Sequence, residues 1–107
     1  MAVATGIFVL LTCYLEPDDE VGGYVSRCPA LGVASQGETL MEAEANIREA
    51  LAMYLGVLAD DGDLERILRE HQVKLAVEPW PRSAIRVRTS DGGLELVAPF
   101  AVYPPSE

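Results

Sequence analysis

Apolar residues recur at Leu40, Ala43, Ile47, Ala50, Leu51, Tyr54, Leu55 and Leu58. Gaps of three and four residues place them on one stripe of a helix, and the spacing predicts a helix over Leu40 to Ala59. Thr39 with Glu42 three positions on has the form of a capping box, each side chain reaching the other's amide. Glu44 stands four residues before Arg48, the favourable order for an ion pair. Asp60-Asp61-Gly62 ends the run. A stripe this wide needs a partner surface, and the apolar run upstream is the large candidate.

That run, Ile7 to Glu16, reads as a strand of β-branched and aromatic residues. It follows a loose start over Met1 to Gly6. One alternation carries Ile7, Val9, Leu11, Cys13 and Leu15, the other Phe8, Leu10, Thr12 and Tyr14. Both faces are therefore expected to be covered, the second in part by another subunit. Pro17 to Gly23 is a turn, with acids at the tip and Gly22-Gly23 able to take positive φ. Tyr24 to Cys28 returns as a second strand. Pro29 to Gly32 turns again, and Val33 to Gln36 is a short third strand.

Downstream the pattern shortens. Asp63 is a candidate N-cap for a helix of about two to three turns, with Leu64, Ile67, Leu68 and His71 on one face and Glu65 placed to pair with Arg69. Lys74 to Val77 begins as a strand, but Pro79-Trp80-Pro81 interrupts it. Ala84 to Thr89 and Leu94 to Val97 flank Ser90-Asp91-Gly92-Gly93 and read as a hairpin. Pro99, Pro104 and Pro105 predict an irregular end. The expected fold class is α+β: a three-stranded antiparallel sheet in β-β-β-α order packed on one long helix, then a short second helix and a C-terminal β-hairpin.

The 107 residues correspond to one domain, with 1–75 as an α/β module and 76–107 as an extension packed on it. No apolar run reaches the roughly 18 residues of a membrane span. The first basic residue is Arg27, so no basic n-region marks a signal peptide. A soluble, cytoplasmic protein is expected. Cys13 and Cys28 fall on strands that can pair, which leaves a disulfide sterically open. Nothing marks secretion, however, and two reduced, buried thiols are the simpler expectation.

Charge is unevenly placed. Residues 1–63 carry 11 acids against Arg27 and Arg48, a balance of −9, while residues 64–107 carry 6 acids and 6 bases. The first part is therefore ill suited to direct nucleic-acid binding and suited to a basic protein partner. It also confers solubility whatever the partner.

The run Tyr14-Leu15-Glu16-Pro17-Asp18-Asp19-Glu20, with Gly22-Gly23-Tyr24-Val25, Cys28-Pro29-Ala30-Leu31-Gly32 and Gln36-Gly37-Glu38-Thr39-Leu40-Met41-Glu42-Ala43, followed by Asn46-Ile47, Ala50-Leu51 and Tyr54-Leu55, resembles the HicB antitoxin family. The shared pattern is an acidic turn, Gly-Gly-Tyr, a Pro-x-Leu turn and Gly-x-Thr-x-x-Glu-Ala opening a helix. It covers about residues 7–62. The resemblance implies a small fold similar to a truncated ribonuclease H core. It further implies homo-oligomers, dimers or tetramers, and a bacterial antitoxin that binds a HicA-like toxin, a small basic RNA-cleaving protein. Many members add a DNA-binding helix-turn-helix or ribbon-helix-helix segment. Residues 63–107 show one short helix, prolines and a hairpin instead, and the usual Pro-rich linker is replaced by the Asp63 to Gln72 helix.

The candidate partner-binding residues are Glu16, Asp18, Asp19, Glu20 and Tyr24: the acidic turn would meet lysines or arginines, and Tyr24 would support it. No catalytic residue, metal or other cofactor is expected. The acids bunch on one turn, whereas two-metal catalysis needs them to converge from different rigid elements. A residual metal-dependent nuclease using Glu16, Asp18 and Asp19 is the weakest alternative, and His71 lacks the partners of a general base. A stand-alone homo-oligomeric scaffold without a toxin is the stronger rival. Arg82, Arg86 and Arg88 are expected to pair with acids of this chain or a neighbour, and Trp80 to pack over the core.

Overall fold

The computed structural model describes residues 7–73, 75–76 and 84–103. Lys74, Trp80 and Arg82, with the Pro79–Pro81 interruption, lie outside them.

The order of elements is β1 (Ile7–Pro17), β2 (Tyr24–Cys28), β3 (Val33–Gly37), α1 (Leu40–Asp61), α2 (Leu64–Glu70), β4 (Leu75–Ala76), β5 (Ile85–Arg88) and β6 (Leu94–Tyr103). They make an α+β fold with an antiparallel sheet ordered β3-β2-β1-β6-β5, and β4 also pairs with β1. The three-strand meander and the C-terminal hairpin are thus parts of one six-stranded sheet. β6 runs antiparallel to β1 from Leu15↔Leu94 to Ile7↔Tyr103, with an irregularity between Ile7 and Phe8.

β6 is also longer than the pattern predicted, continuing through Pro99 instead of breaking there. Pro99 stands opposite Leu10, whereas β5 stops pairing at Val97. Beyond Val97, among the described residues, β6 has no neighbour on its β5 side. A residue without an N–H is accommodated where that side of the strand is open.

The alternation of β1 sorts the sheet into two faces. Val9, Leu11, Cys13 and Leu15 are buried, as are Leu94, Leu96, Ala98 and Phe100 of β6. They meet Ala43, Ile47, Leu51, Leu55 and Leu58 of α1 and Leu64 and Leu68 of α2 in one core. The predicted stripe is the buried stripe, with Leu40 and Tyr54 packed at its margin. Each fully buried leucine here contributes on the order of 2 kcal/mol of transfer free energy. On the other face Leu10, Tyr14, Ile85 and Val87 are exposed. No helix among the described residues is long and apolar enough to cross a membrane.

Caps set the helix ends. The Thr39 hydroxyl accepts from the Glu42 amide at 3.1 Å, while Glu42 Oε1 accepts from the amide of Glu38, one residue before the partner a capping box predicts. Gly62 takes φ 76° in the left-handed region, and the Asp63 amide then donates back to the Leu58 carbonyl at 2.9 Å. Asp63 holds the N-cap position of α2 but makes no side-chain cap bond. Only Gly62 and Asp63 separate the helices, and Asp63 is left at near-helical angles. Its carboxylate pairs with Arg66 instead, at 3.2 Å.

Candidate functional site

The β1–β2 turn is built by its first acid. Asp18 Oδ1 accepts from the amides of Glu20 (3.1 Å) and Val21 (3.3 Å), and the Asp18 carbonyl accepts from Gly22 at 2.9 Å. Gly22 and Gly23 follow at φ 81° and 75°, a pair of left-handed residues that only glycine supplies at low cost. The turn also lies against the end of β3: a Cβ on Gly23 would sit 2.6 Å from the Gly37 carbonyl oxygen.

Gly37 in turn touches α1. A Cβ there would stand 2.4 Å from the Ala43 nitrogen. The Gly-x-Thr spacing therefore brings β3 directly onto the first turn of the helix. Asn46 fastens the same junction, donating through Nδ2 to the Gln36 carbonyl at 2.7 Å.

Between turn, strand end and helix start lies an open groove of about 650 Å³. Asp18, Glu38 and Glu42 supply its charge, Tyr24 and Val21 its apolar wall, and Gln36 and Asn46 its neutral polar lining. Among the described residues, no lysine, arginine or histidine lines it. At its rim Val21 is 83% exposed. Such a surface has the charge to complement cationic side chains and an apolar anchor next to it.

The five candidate residues lie in three different settings. Asp18 and Tyr24 line the groove. Asp19 and Glu20 are exposed at the turn beside it. Glu16 lies on the helix-free face of the sheet, with its carboxylate 2.9 Å from the Arg27 guanidinium. The sequence reading missed Glu38, Glu42 and Asn46. Glu42 and Asn46 are one helical turn apart and so share a face, which was the available signal. Without the contact of β3 on α1 nothing linked that face to the acidic turn.

A second polar cluster ties β5 to α1. Arg86 donates to both carboxylate oxygens of Glu44, at 2.8 and 2.6 Å, and Arg48 approaches the same group at 3.5 Å. The Arg86 hydrogen bond, against the opposing effect of burial, holds the Glu44 carboxyl below the usual carboxylate range. Arg86 thus pairs within the chain, as expected for this basic cluster. Arg88 lines a neighbouring cleft of about 510 Å³ with Leu40, Met41, Glu44 and Leu94. His71 is exposed after α2 and lines a smaller cavity with Leu10, Tyr14 and Pro29. Among the described residues, no group of three or more His, Cys, Asp or Glu side chains is placed to hold a metal ion.

Comparison with family models, with curated proteins and with solved structures finds no match to this chain.

Proposed function

We propose that this protein is a HicB-like antitoxin-type binding protein that neutralises a small basic RNA-cleaving toxin by protein–protein contact in the cytoplasm. The observation that carries the reading is the groove at the hairpin tip, with three carboxylates, no base among the described residues and the exposed Val21 at its edge. Asp19 and Glu20 extend the negative surface and would steer a basic partner toward it. Tyr24 backs the turn from the core side. The meander of β1 to β3 leading into a capped helix is compatible with a truncated ribonuclease H-like core. The test is co-expression with a small basic protein encoded beside this one, followed by pull-down and a growth assay. Reversing Asp19, Glu20 and Glu42 to lysine should weaken the complex at least tenfold, with a shallower salt dependence. Absence of any complex, or of relief from toxicity, removes the proposal.

The helix-free face of the sheet favours a second reading, a homo-oligomeric scaffold without a toxin. Leu10, Tyr14, Ile85 and Val87 are exposed there, and the Glu16–Arg27 pair leaves that side of β1 and β2 nearly neutral. Two copies of a chain at −9 meet with least repulsion across such a face. Light scattering that reports a monomer at high concentration would count decisively against this alternative.

A further inference from the structure

We infer that Cys13 and Cys28 form a redox site, a dithiol opposed across β1 and β2 that a hydroperoxide oxidises to an intrachain disulfide. This goes beyond the toxin-binding reading and does not depend on it.

The ladder supplies the geometry. Tyr14 stands opposite Arg27, and one further step of an antiparallel pair sets Cys13 against Cys28. Facing Cα atoms in such a ladder are roughly 4.5 to 5.5 Å apart, within the roughly 4.4 to 6.8 Å that a disulfide spans. Both cysteines are reduced and fully buried on the helix side of the sheet. The site nevertheless lies at an end of β1–β2 pairing, because the chain turns away at Pro29 and the amides of Leu31 and Gly32 close on the Cys28 carbonyl at 3.2 and 3.0 Å. A cavity of about 330 Å³ is bordered by their chain neighbours Thr12, Tyr14, Pro29 and Ala30, though not by the thiols themselves. Local opening of a strand end is a low-energy event compared with global unfolding, and it would admit a small oxidant.

The two thiols are not equivalent. A hydrogen bond with the Cys13 thiol draws the Cys28 thiol down; burial opposes this, and the amides of Leu31 and Ala30 add to the lowering. The same hydrogen bond, with burial, pushes the Cys13 thiol up. Cys28 closes β2 where the chain turns at Pro29, the place where the ladder opens first, and its lowered thiol fits it as the attacking sulfur; Cys13, inside β1, is the resolving one. The Cys28 thiolate attacks one peroxide oxygen, the O–O bond breaks, and the departing oxygen takes up a proton. The resulting sulfenic acid is attacked by the Cys13 sulfur. The S–S bond forms, the S–O bond breaks, and water leaves with the Cys13 proton. Two thiols lose two electrons and two protons, and the peroxide is reduced. The bridge joins the strands on either side of the 18–23 turn, so oxidation pins the base of the hairpin that carries the acidic tip. Transient disulfides of this kind are the ones compatible with a reducing compartment.

The test exposes the reduced full-length chain to a small excess of hydrogen peroxide. Intact mass should fall by about 2 Da, the two hydrogens lost on disulfide formation. Thiols labelled after denaturation should drop from two to none, dithiothreitol should restore both, and peptide mapping should join the Cys13 and Cys28 peptides. In Cys13→Ser, dimedone should trap a sulfenic acid on Cys28. In Cys28→Ser, Cys13 should react at least tenfold more slowly than Cys28 does in the other variant. Two surviving thiols, oxygen addition without bridging, or a disulfide between chains would each overturn the inference. The wild-type measurement stands even if a variant fails to fold.

Discussion

Adding one methyl group at Gly37 and at Gly56 should move stability in opposite directions. At Gly37 the new Cβ would lie 2.4 Å from the Ala43 nitrogen, 2.8 Å from the Glu42 carbonyl carbon and 2.9 Å from the Ala43 Cα. Comfortable contact begins near 3.4 Å, so β3 and α1 must separate by about 1 Å, enough to forfeit up to half of each dispersion contact between them. The obstacles are backbone atoms of the first helical turn, where the Ala43 amide already bonds the Thr39 carbonyl at 2.9 Å. They cannot yield as a side chain would. Overpacking costs roughly 1–3 kcal/mol, and Gly37→Ala belongs near the top of that range, at about 3 kcal/mol. Gly56 is interior to α1, with nothing within 4 Å of a built Cβ. There alanine replaces the poorest ordinary helix former, and Gly56→Ala should stabilise by about 0.5–1 kcal/mol. For 107 residues each kcal/mol corresponds to a shift of about 4–5 °C in Tm. Urea titration of the three proteins, with thermal melts alongside, reads both signs. If Gly37→Ala falls within 0.5 kcal/mol of wild type, or both variants move the same way, the tight seat of β3 on α1 is refuted.

Other expectations follow from single contacts. Removing the charge with Glu44→Gln should cost about 1 kcal/mol at pH 7, an amount held down because Arg86 is 48% exposed although Glu44 is only 15% exposed. The Glu44 carboxyl is depressed in the folded state. Its contribution is therefore complete above the unfolded carboxyl value of about 4.3 and disappears as pH falls through the folded one. The gap between Glu44→Gln and wild type should close on acidification, and a double-mutant cycle with Arg86→Met should show coupling; zero coupling would sink the pairing. The Ser26 hydroxyl is buried and has no hydrogen-bond partner among the described residues, so Ser26→Ala should be neutral or stabilising by up to about 1 kcal/mol. A loss of that size in chemical denaturation would mean the hydroxyl is satisfied. Thr39→Ala deletes the acceptor of the Glu42 amide and should cost about 1 kcal/mol; an unchanged urea midpoint would contradict that capping role.

Local signals carried much of the architecture. The α1 stripe, its Thr39 cap and its Gly62 stop were all legible, because each depends on residues within one or two turns of one another. So were β1 to β3, since alternation and turn chemistry are equally local. What escaped the sequence was long-range pairing. Val9, Leu11 and Cys13 show that β1 has a buried face, but nothing in their neighbourhood names β6 as the strand beside it. Pro99 argued for an ending, and only the early stop of β5 makes it tolerable. The acidic turn was visible in Asp18 to Glu20, yet its use of Asp18 as an internal acceptor depends on backbone geometry. Glu38 and Glu42 join that turn only because two glycines let three segments touch.

Because β6 lies beside β1 along nearly its whole length, β1 waits for a strand made about eighty residues later. While a ribosome extends the chain, β1 to β3 and α1 can meet early, since their contacts span short loops. Until residues 94–103 emerge, however, one margin of β1 offers bare amides and carbonyls next to Leu11 and Leu15. A nascent or truncated chain that stops after α2 would thus carry a sticky seam, prone to recruit strands from other molecules. Emergence of β6 closes that seam from within.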